Sequence, residues 1–167
     1  KSEDRLPSRA GIVVATYSML RDIDIRTKVY LRNMQIQEWA GHEFNGPMIF
    51  DESQCMRNAA ASDDYANGYS EVSQQGLAGI NLQDILPNAR VVYTSATGAT
   101  DVHNLGYATR LGLWGPSTPF EKRADFIKTF EAGDIGDLEQ LTLSLKASGL
   151  YVARSISYDG VEVVHLP

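Results

Sequence analysis

Three short apolar runs, each closed by small or polar residues, set the rhythm of the chain: Gly11-Ile12-Val13-Val14-Ala15, Pro47-Met48-Ile49-Phe50 and Arg90-Val91-Val92-Tyr93-Thr94. Short continuous runs of this kind are the mark of strands covered on both faces, so they predict parallel strands. Between the first two, Ile25, Val29, Ile36 and Ala40 share a stripe at helical spacing, with Arg26, Lys28 and Arg32 elsewhere on the same predicted helix. Between the second and third, Gln75 to Leu86 predicts another helix, stopped by Pro87 and an Asn88-Ala89 turn. Strands alternating with helices predict an α/β fold with a doubly wound parallel sheet.

Beyond the third run the pattern turns helical. Thr118, Pro119 and Glu121 offer an N-cap, a first-turn proline and a capping-box glutamate for a helix to about Glu131. Asp137 with Gln140 repeats the device for a helix to Ser148, ended by Gly149 and turning Leu138, Leu141 and Leu145 toward a core. Tyr151 to Ile156 and Val161 to Leu166, around Tyr158-Asp159-Gly160, predict a terminal β-hairpin. We divide the chain into residues 1–115, the sheet-bearing part, and 116–167, a helical extension and hairpin packed on the same domain.

Composition narrows the function classes. With 167 residues, 43% of them hydrophobic, the chain can bury one ordinary core. It has no long apolar run suited to spanning a bilayer, and Lys1-Ser2-Glu3-Asp4-Arg5 is too polar for a secretory signal, so the sequence reads as a soluble, cytoplasmic protein without a membrane partner. Cys55 is the single cysteine, which excludes an internal disulfide and a cysteine zinc site and predicts a packed thiol. His42, His103 and His165 lack metal-ligand spacing, and Trp39 and Trp114 read as packing residues. A net charge of −6 rules out a surface that is basic all over but leaves room for a local basic track. A first residue other than Met and a strand-like run before Pro167 read as the ends of a piece of something longer.

In an open α/β sheet, ligands gather beyond the carboxyl ends of the strands. After the second run stand Asp51-Glu52-Ser53-Gln54. This is a Walker B arrangement, in which Asp51 would hold a hydrated Mg²⁺ and Glu52 would orient or deprotonate an attacking water. The plainer alternative is an acidic cap on the following helix. The third run ends in Thr94-Ser95-Ala96-Thr97-Gly98, where the hydroxyls of Ser95 and Thr97 could each donate to a carboxylate of Asp51-Glu52, or simply cap a helix near Asp101. Thr16-Tyr17-Ser18, after the first run, would suit a phosphate of a bound strand, or form an ordinary cap with a half-buried tyrosine. Asp63 and Asp64 read as a solvated stretch rather than as the centre of an independent Mg²⁺ hydrolase.

Taken in order, Thr16-Tyr17-Ser18, Gln37-Glu38-Trp39-Ala40-Gly41, Asp51-Glu52-Ser53-Gln54, Tyr93 to Ala99 and Arg110-Leu111-Gly112-Leu113-Trp114-Gly115 resemble the strawberry notch family of superfamily-two helicase-like ATPases. The resemblance extends through Thr118-Pro119-Phe120, Asp125-Phe126-Ile127 and Gly149 to Arg154. It implies a RecA-like first motor domain, ATP and Mg²⁺ as cofactors, and nucleic acid as partner, DNA before RNA, in chains that in bacterial and phage relatives also carry a methyltransferase region. The same resemblance gives Asp51 and Glu52 the catalytic roles, places Gln54 beside the nucleotide, makes Ser95 and Thr97 the coupling residues, and turns Thr16, Tyr17 and Ser18 toward nucleic acid. Gln54 departs from the His or Asp common at its position. No lysine here follows a glycine and precedes Ser or Thr, so the sequence has no Walker A loop. The expectation is a partial motor domain, inactive alone, whose parent supplies that loop and a second RecA-like domain; the alternative is a degenerate ATPase fold used for binding or scaffolding.

Overall fold

Two of the three apolar runs pair. In the computed structural model, which describes residues 11–59, 73–96, 102 and 105–153, β1 (Pro47–Phe50) and β2 (Arg90–Tyr93) are parallel and in register, with Ile49 opposite Val92 and Phe50 opposite Tyr93. The remaining elements are α1 (Tyr17–Leu20), α2 (Leu31–Ala40), a 3₁₀ turn (Ser53–Met56), α3 (Gln74–Ile85), α4 (Arg123–Ala132) and α5 (Ile135–Ala147). This is the expected α/β class, with β1, α3 and β2 following one another as a strand, helix, strand unit.

The sheet has one packed face. Met48, Phe50, Val91 and Tyr93 point into a cluster with Leu20, Met56, Ala78, Leu82 and Leu86. On the other face Ile49 is 64% exposed and Val92 47%. The run Gly11–Ala15, expected as a third strand, forms no ladder among the described residues. It keeps strand-like alternation, with Ala15 against the core and Ile12 and Val14 outside at 93% and 87% exposure. A run needs a hydrogen-bonded neighbour to become a strand, and none of the described segments supplies one.

The helix expected from Ile25 onward begins only at Leu31. Asp24 is the reason: its Oδ1 accepts from the backbone N–H of Arg26 at 2.8 Å and of Thr27 at 2.9 Å, which folds residues 24–29 into a loop closed by an Ile23–Tyr30 bridge. A carboxylate that bonds the amides just ahead of it competes with helix formation, and here it wins. The same two amides hold the Asp24 carboxyl below the ordinary aspartate range. Ile25 is accordingly 81% exposed rather than part of an apolar stripe.

What fixes α2 to α3 is largely amide chemistry. Asn33 Nδ2 donates to the Ala78 carbonyl at 2.8 Å and to Asn81 Oδ1 at 2.9 Å, and one turn later Gln37 Nε2 donates to the Ile85 carbonyl at 2.7 Å. The end of α3 is closed by Arg110, whose guanidinium donates to the carbonyls of Gln83 (2.5 Å), Pro87 (2.7 Å) and Leu86 (3.2 Å), a cation at the negative end of the helix dipole. The start of α3 lies against the turn after β1. A Cβ at Gly76 would sit 2.5 Å from Ala59 Cβ and 2.6 Å from the Met56 carbonyl oxygen. Gly76→Ala, which in an open helix gains a few tenths to 1 kcal/mol, is therefore expected to cost about 1–3 kcal/mol, read as a lower urea midpoint. An unchanged or raised midpoint would mean that α3 does not press on this turn.

The two later helices start away from their expected caps. The Thr118 hydroxyl lies 2.9 Å from the Gly115 carbonyl and 2.8 Å from that of Phe120, closing a local turn instead of capping a helix, and α4 starts at Arg123. In α5 the capping box is made by Asp134 and Asp137, so Asp137 is its third residue rather than its cap. The Leu138, Leu141 and Leu145 face does pack, in a second cluster with Val102, Leu105, Leu113 and Phe126. Leu111 touches both clusters, and the second draws residues from before position 115. Trp114 packs at 5.5 Å from Phe126 in that cluster. Beyond Ala153 the expected hairpin lies outside the described residues, as do Asp63, Asp64, His103 and His165. Cys55, expected to be packed, is exposed.

Candidate functional site

Parallel pairing puts the ends of β1 and β2 side by side, and the hydrogen bonding continues past the strands. Thr94 N–H donates to the Phe50 carbonyl at 2.9 Å, and Ser53 N–H donates back to the Thr94 carbonyl at 2.8 Å. For Ser53 to return to the neighbouring strand the chain must turn sharply at Glu52, which has φ 49° and ψ 47°. A left-handed conformation costs a residue with a side chain roughly 1–2 kcal/mol, so the surrounding bonds must hold it.

Those bonds gather Asp51, Glu52, Gln54, Thr94 and Ser95 into one array. Asp51 Oδ1 accepts from Thr94 Oγ1 at 2.5 Å and from the Glu52 amide at 3.1 Å. Gln54 Nε2 donates to Glu52 Oε2 at 2.5 Å, and Ser95 Oγ donates to Gln54 Oε1 at 2.6 Å. A primary amide carries a donor and an acceptor at opposite corners, so Gln54 can bridge a hydroxyl to a carboxylate. The sequence led us to expect Ser95 to donate directly to a carboxylate; it donates to the Gln54 amide, because the turn places Gln54 between the two. Among the described residues the strand-end hydroxyl that does donate to a carboxylate is that of Thr94, to which the sequence gave no role. Thr97 lies outside the described residues.

Beneath the array runs a column of aromatic rings. Tyr17 stacks on Phe50 with centroids 6.5 Å apart, Phe50 on Tyr93 at 5.9 Å, and Tyr93 meets Tyr107 at 5.8 Å. Their hydroxyls engage the site from below: Tyr17 Oη donates to the Asp51 carbonyl at 2.7 Å, and Tyr107 Oη lies 2.9 Å from Ser53 Oγ. Burial pushes the Tyr93 phenol up to about 12 and raises those of Tyr17 and Tyr107 as well, so all three remain protonated donors at neutral pH. Tyr107 and Ser53 carry no motif signal that could have joined them from sequence.

The expected strand-contacting residues sit at the start of α1. Thr16 caps the helix, its Oγ1 accepting from Met19 N–H at 3.3 Å and lying 2.9 Å from Ser18 Oγ; both hydroxyls are on the surface. Tyr17 is half-buried and points the other way, toward β1.

The carboxylates form no enclosed metal cage. Among the described residues no three His, Cys, Asp or Glu side chains cluster as a ligand set. Asp51 and Glu52 are exposed at the strand end, a donor set that fits an ion which keeps its waters and shares phosphate oxygens, as Mg²⁺ does, and fits poorly one that requires a complete protein shell. Among the described residues no helix is long and apolar enough to cross a membrane.

A parallel α/β sheet with adjacent carboxylates at one strand end and hydroxyls at the next fits the class of P-loop NTP hydrolases. The chain belongs to the family described as P-loop containing NTP hydrolase pore-1, whose model matches residues 1–166. Its relatives are strawberry notch proteins: it is 38% identical over 154 residues to Protein strawberry notch homolog 1 of Gallus gallus, covering 92% of this chain and 12% of that one. It is 39% identical over 154 residues to Protein FORGETTER 1 of Arabidopsis thaliana, covering 92% and 11%, and 38% identical over 157 residues to the Caenorhabditis elegans strawberry notch homolog, covering 92% and 8%. The chain thus spans about a tenth of the length of these relatives. No solved structure matches it.

Proposed function

We propose that this chain is part of the first motor domain of a nucleic-acid-dependent ATPase, a helicase or translocase that couples ATP hydrolysis to movement on or remodelling of DNA. The observation that supports it most is the relay from Ser95 through Gln54 to Glu52. It connects the carboxylate suited to activating water with the end of the neighbouring strand, so that a shift of residues 94–96 alters what Glu52 is bonded to.

In this reading Asp51, its carboxylate oriented by the Thr94 hydroxyl, would hold a hydrated Mg²⁺. Bound there, Mg²⁺ would supply charge neutralisation for the nucleotide phosphates. Glu52 orients the attacking water and accepts its proton once its carboxylate is released from the Gln54 amide. Ser95 governs that release, and Thr16 and Ser18 meet the phosphates of the bound strand. The amides of a Walker A loop and its lysine are not among these residues, so the 167-residue chain alone is expected to turn over no ATP.

A double-mutant cycle in the intact parent protein tests the relay. Ser95→Ala and Gln54→Ala should each lower the stimulation of ATP turnover by single-stranded DNA by about 5–50-fold. The double variant should be no more than about twofold worse than the more damaged single, because both remove one connection. Independent, multiplicative losses, or singles with wild-type stimulation, would refute the reading.

A further inference from the structure

We propose that Tyr17 is a positioning residue that links the strand-contacting loop to the hydrolysis site by pinning the peptide between Asp51 and Glu52. The inference rests on the motor reading above and adds to it a second connection, independent of the relay through Ser95 and Gln54.

The 2.7 Å hydrogen bond from Tyr17 Oη ends on the Asp51 carbonyl oxygen, an atom of the peptide group that also carries the Glu52 N–H. The orientation of that peptide sets the left-handed φ of Glu52 and, through it, where the Glu52 carboxylate lies. The same N–H is taken by Asp51 Oδ1 at 3.1 Å, and that oxygen also accepts from Thr94 Oγ1. The peptide is thus held from two sides, by Thr94 through the Asp51 carboxylate and by Tyr17 through its carbonyl. Left-handed residues relax when the contacts that enforce them are lost, so either hold can release Glu52.

The other end of Tyr17 is anchored where a bound strand would act. It is the first residue of α1, between the surface hydroxyls of Thr16 and Ser18. Ser18 lines an open groove of about 720 Å³ together with Arg21, Arg32 and Gln74, and with Asp22 as the one acidic residue among the described residues that line it. The two guanidinium groups give the groove the chemistry of a phosphate track in a chain of net charge −6. The phenol is carried by the first residue of α1, so a small displacement of α1 moves it relative to the Asp51 carbonyl. A displacement of half an ångström or so is enough to weaken a hydrogen bond of this length. Burial keeps the phenol protonated, so the connection does not depend on pH in the neutral range.

The test uses the intact parent protein, single-stranded DNA as the probe, and two variants. Tyr17→Phe removes the hydroxyl and keeps the ring; Phe50→Leu removes the stacked ring and keeps the hydroxyl. In Tyr17→Phe the ratio of DNA-stimulated to unstimulated kcat is expected to fall about tenfold, with KM for ATP and the Kd for DNA each within about twofold of wild type. Phe50→Leu is expected to lower the melting temperature more than Tyr17→Phe does, yet hold the stimulation ratio within about twofold. Wild-type stimulation in Tyr17→Phe overturns the proposal. A tenfold weaker Kd for DNA overturns it in favour of direct contact, and equal loss of stimulation in both variants overturns it in favour of general loosening. A wild-type parent that hydrolyses ATP without any response to DNA removes the motor reading itself, and the proposal with it.

Discussion

Glu52→Gln in the intact parent protein is expected to lower kcat for ATP by about 10²–10⁴-fold while leaving KM within a few-fold, the signature of a lost proton acceptor rather than a lost binding contact. The variant suits the geometry. A glutamine at position 52 still presents an oxygen to the Gln54 amide, which now bonds Glu52 Oε2 at 2.5 Å, so the turn and its left-handed residue have no reason to rearrange. What the substitution removes is the negative charge that, in the proposed reading, orients and deprotonates water. Single-turnover hydrolysis and nucleotide binding, measured side by side, separate the two effects. Wild-type hydrolysis by this variant would move water activation to another residue and leave Glu52 as part of a strand-end turn.

Gln83→Ala should be among the most destabilising single changes in the chain, at about 3–5 kcal/mol, because it strands several polar groups in the interior at once. Gln83 is fully buried. Its Oε1 accepts from Tyr93 Oη and, at 2.8 Å, from Thr109 Oγ1, and its Nε2 donates to the carbonyls of Gly79 and Tyr107, each at 3.1 Å. Tyr93 Oη in turn accepts from the Arg110 amide at 3.3 Å. A methyl group in that place leaves the Tyr93 and Thr109 hydroxyls without their acceptor, takes a donor from each of the Gly79 and Tyr107 carbonyls, and opens a void between α3, β2 and residues 107–110. A urea unfolding curve reads the loss directly. A cost below 1 kcal/mol would mean that water enters to replace the amide. Since Tyr93 directly precedes the Thr94-Ser95 turn, the same change is expected to loosen the site as well as the core.

The parts of this architecture that were legible in the sequence are those governed by local apolar patterning. The runs Pro47–Phe50 and Arg90–Tyr93 became β1 and β2, and Pro87 followed the end of α3 as expected. Because parallel pairing follows from the strand, helix, strand order, the adjacency of Asp51-Glu52 and Thr94-Ser95 was legible too. Where side chains bond their own backbone, the pattern misled. Asp24 turns a helical stripe into a loop, Thr118 closes a turn instead of capping α4, and the α5 box begins three residues earlier, at Asp134. Polar residues that work in the interior were invisible for a different reason. Asn33, Gln37 and Gln83 score as surface in any hydrophobic pattern, yet they fasten α2 to α3 and α3 to β2. The tyrosines were the least legible, since Tyr17 reaches Asp51 and Tyr107 reaches Ser53 across long stretches of chain that no spacing rule connects.

In the proposed reading Asp51, Glu52, Gln54 and the Thr94-Ser95 turn form the hydrolysis site of a nucleic-acid-driven motor. The most direct measurement is steady-state ATP hydrolysis by the folded, intact parent protein, with and without single- and double-stranded DNA. The predicted result is turnover that rises at least about tenfold when DNA is added and is absent from the isolated 167-residue chain. A folded parent that hydrolyses no ATP under either condition would rule out the motor and leave this fold as a binding module.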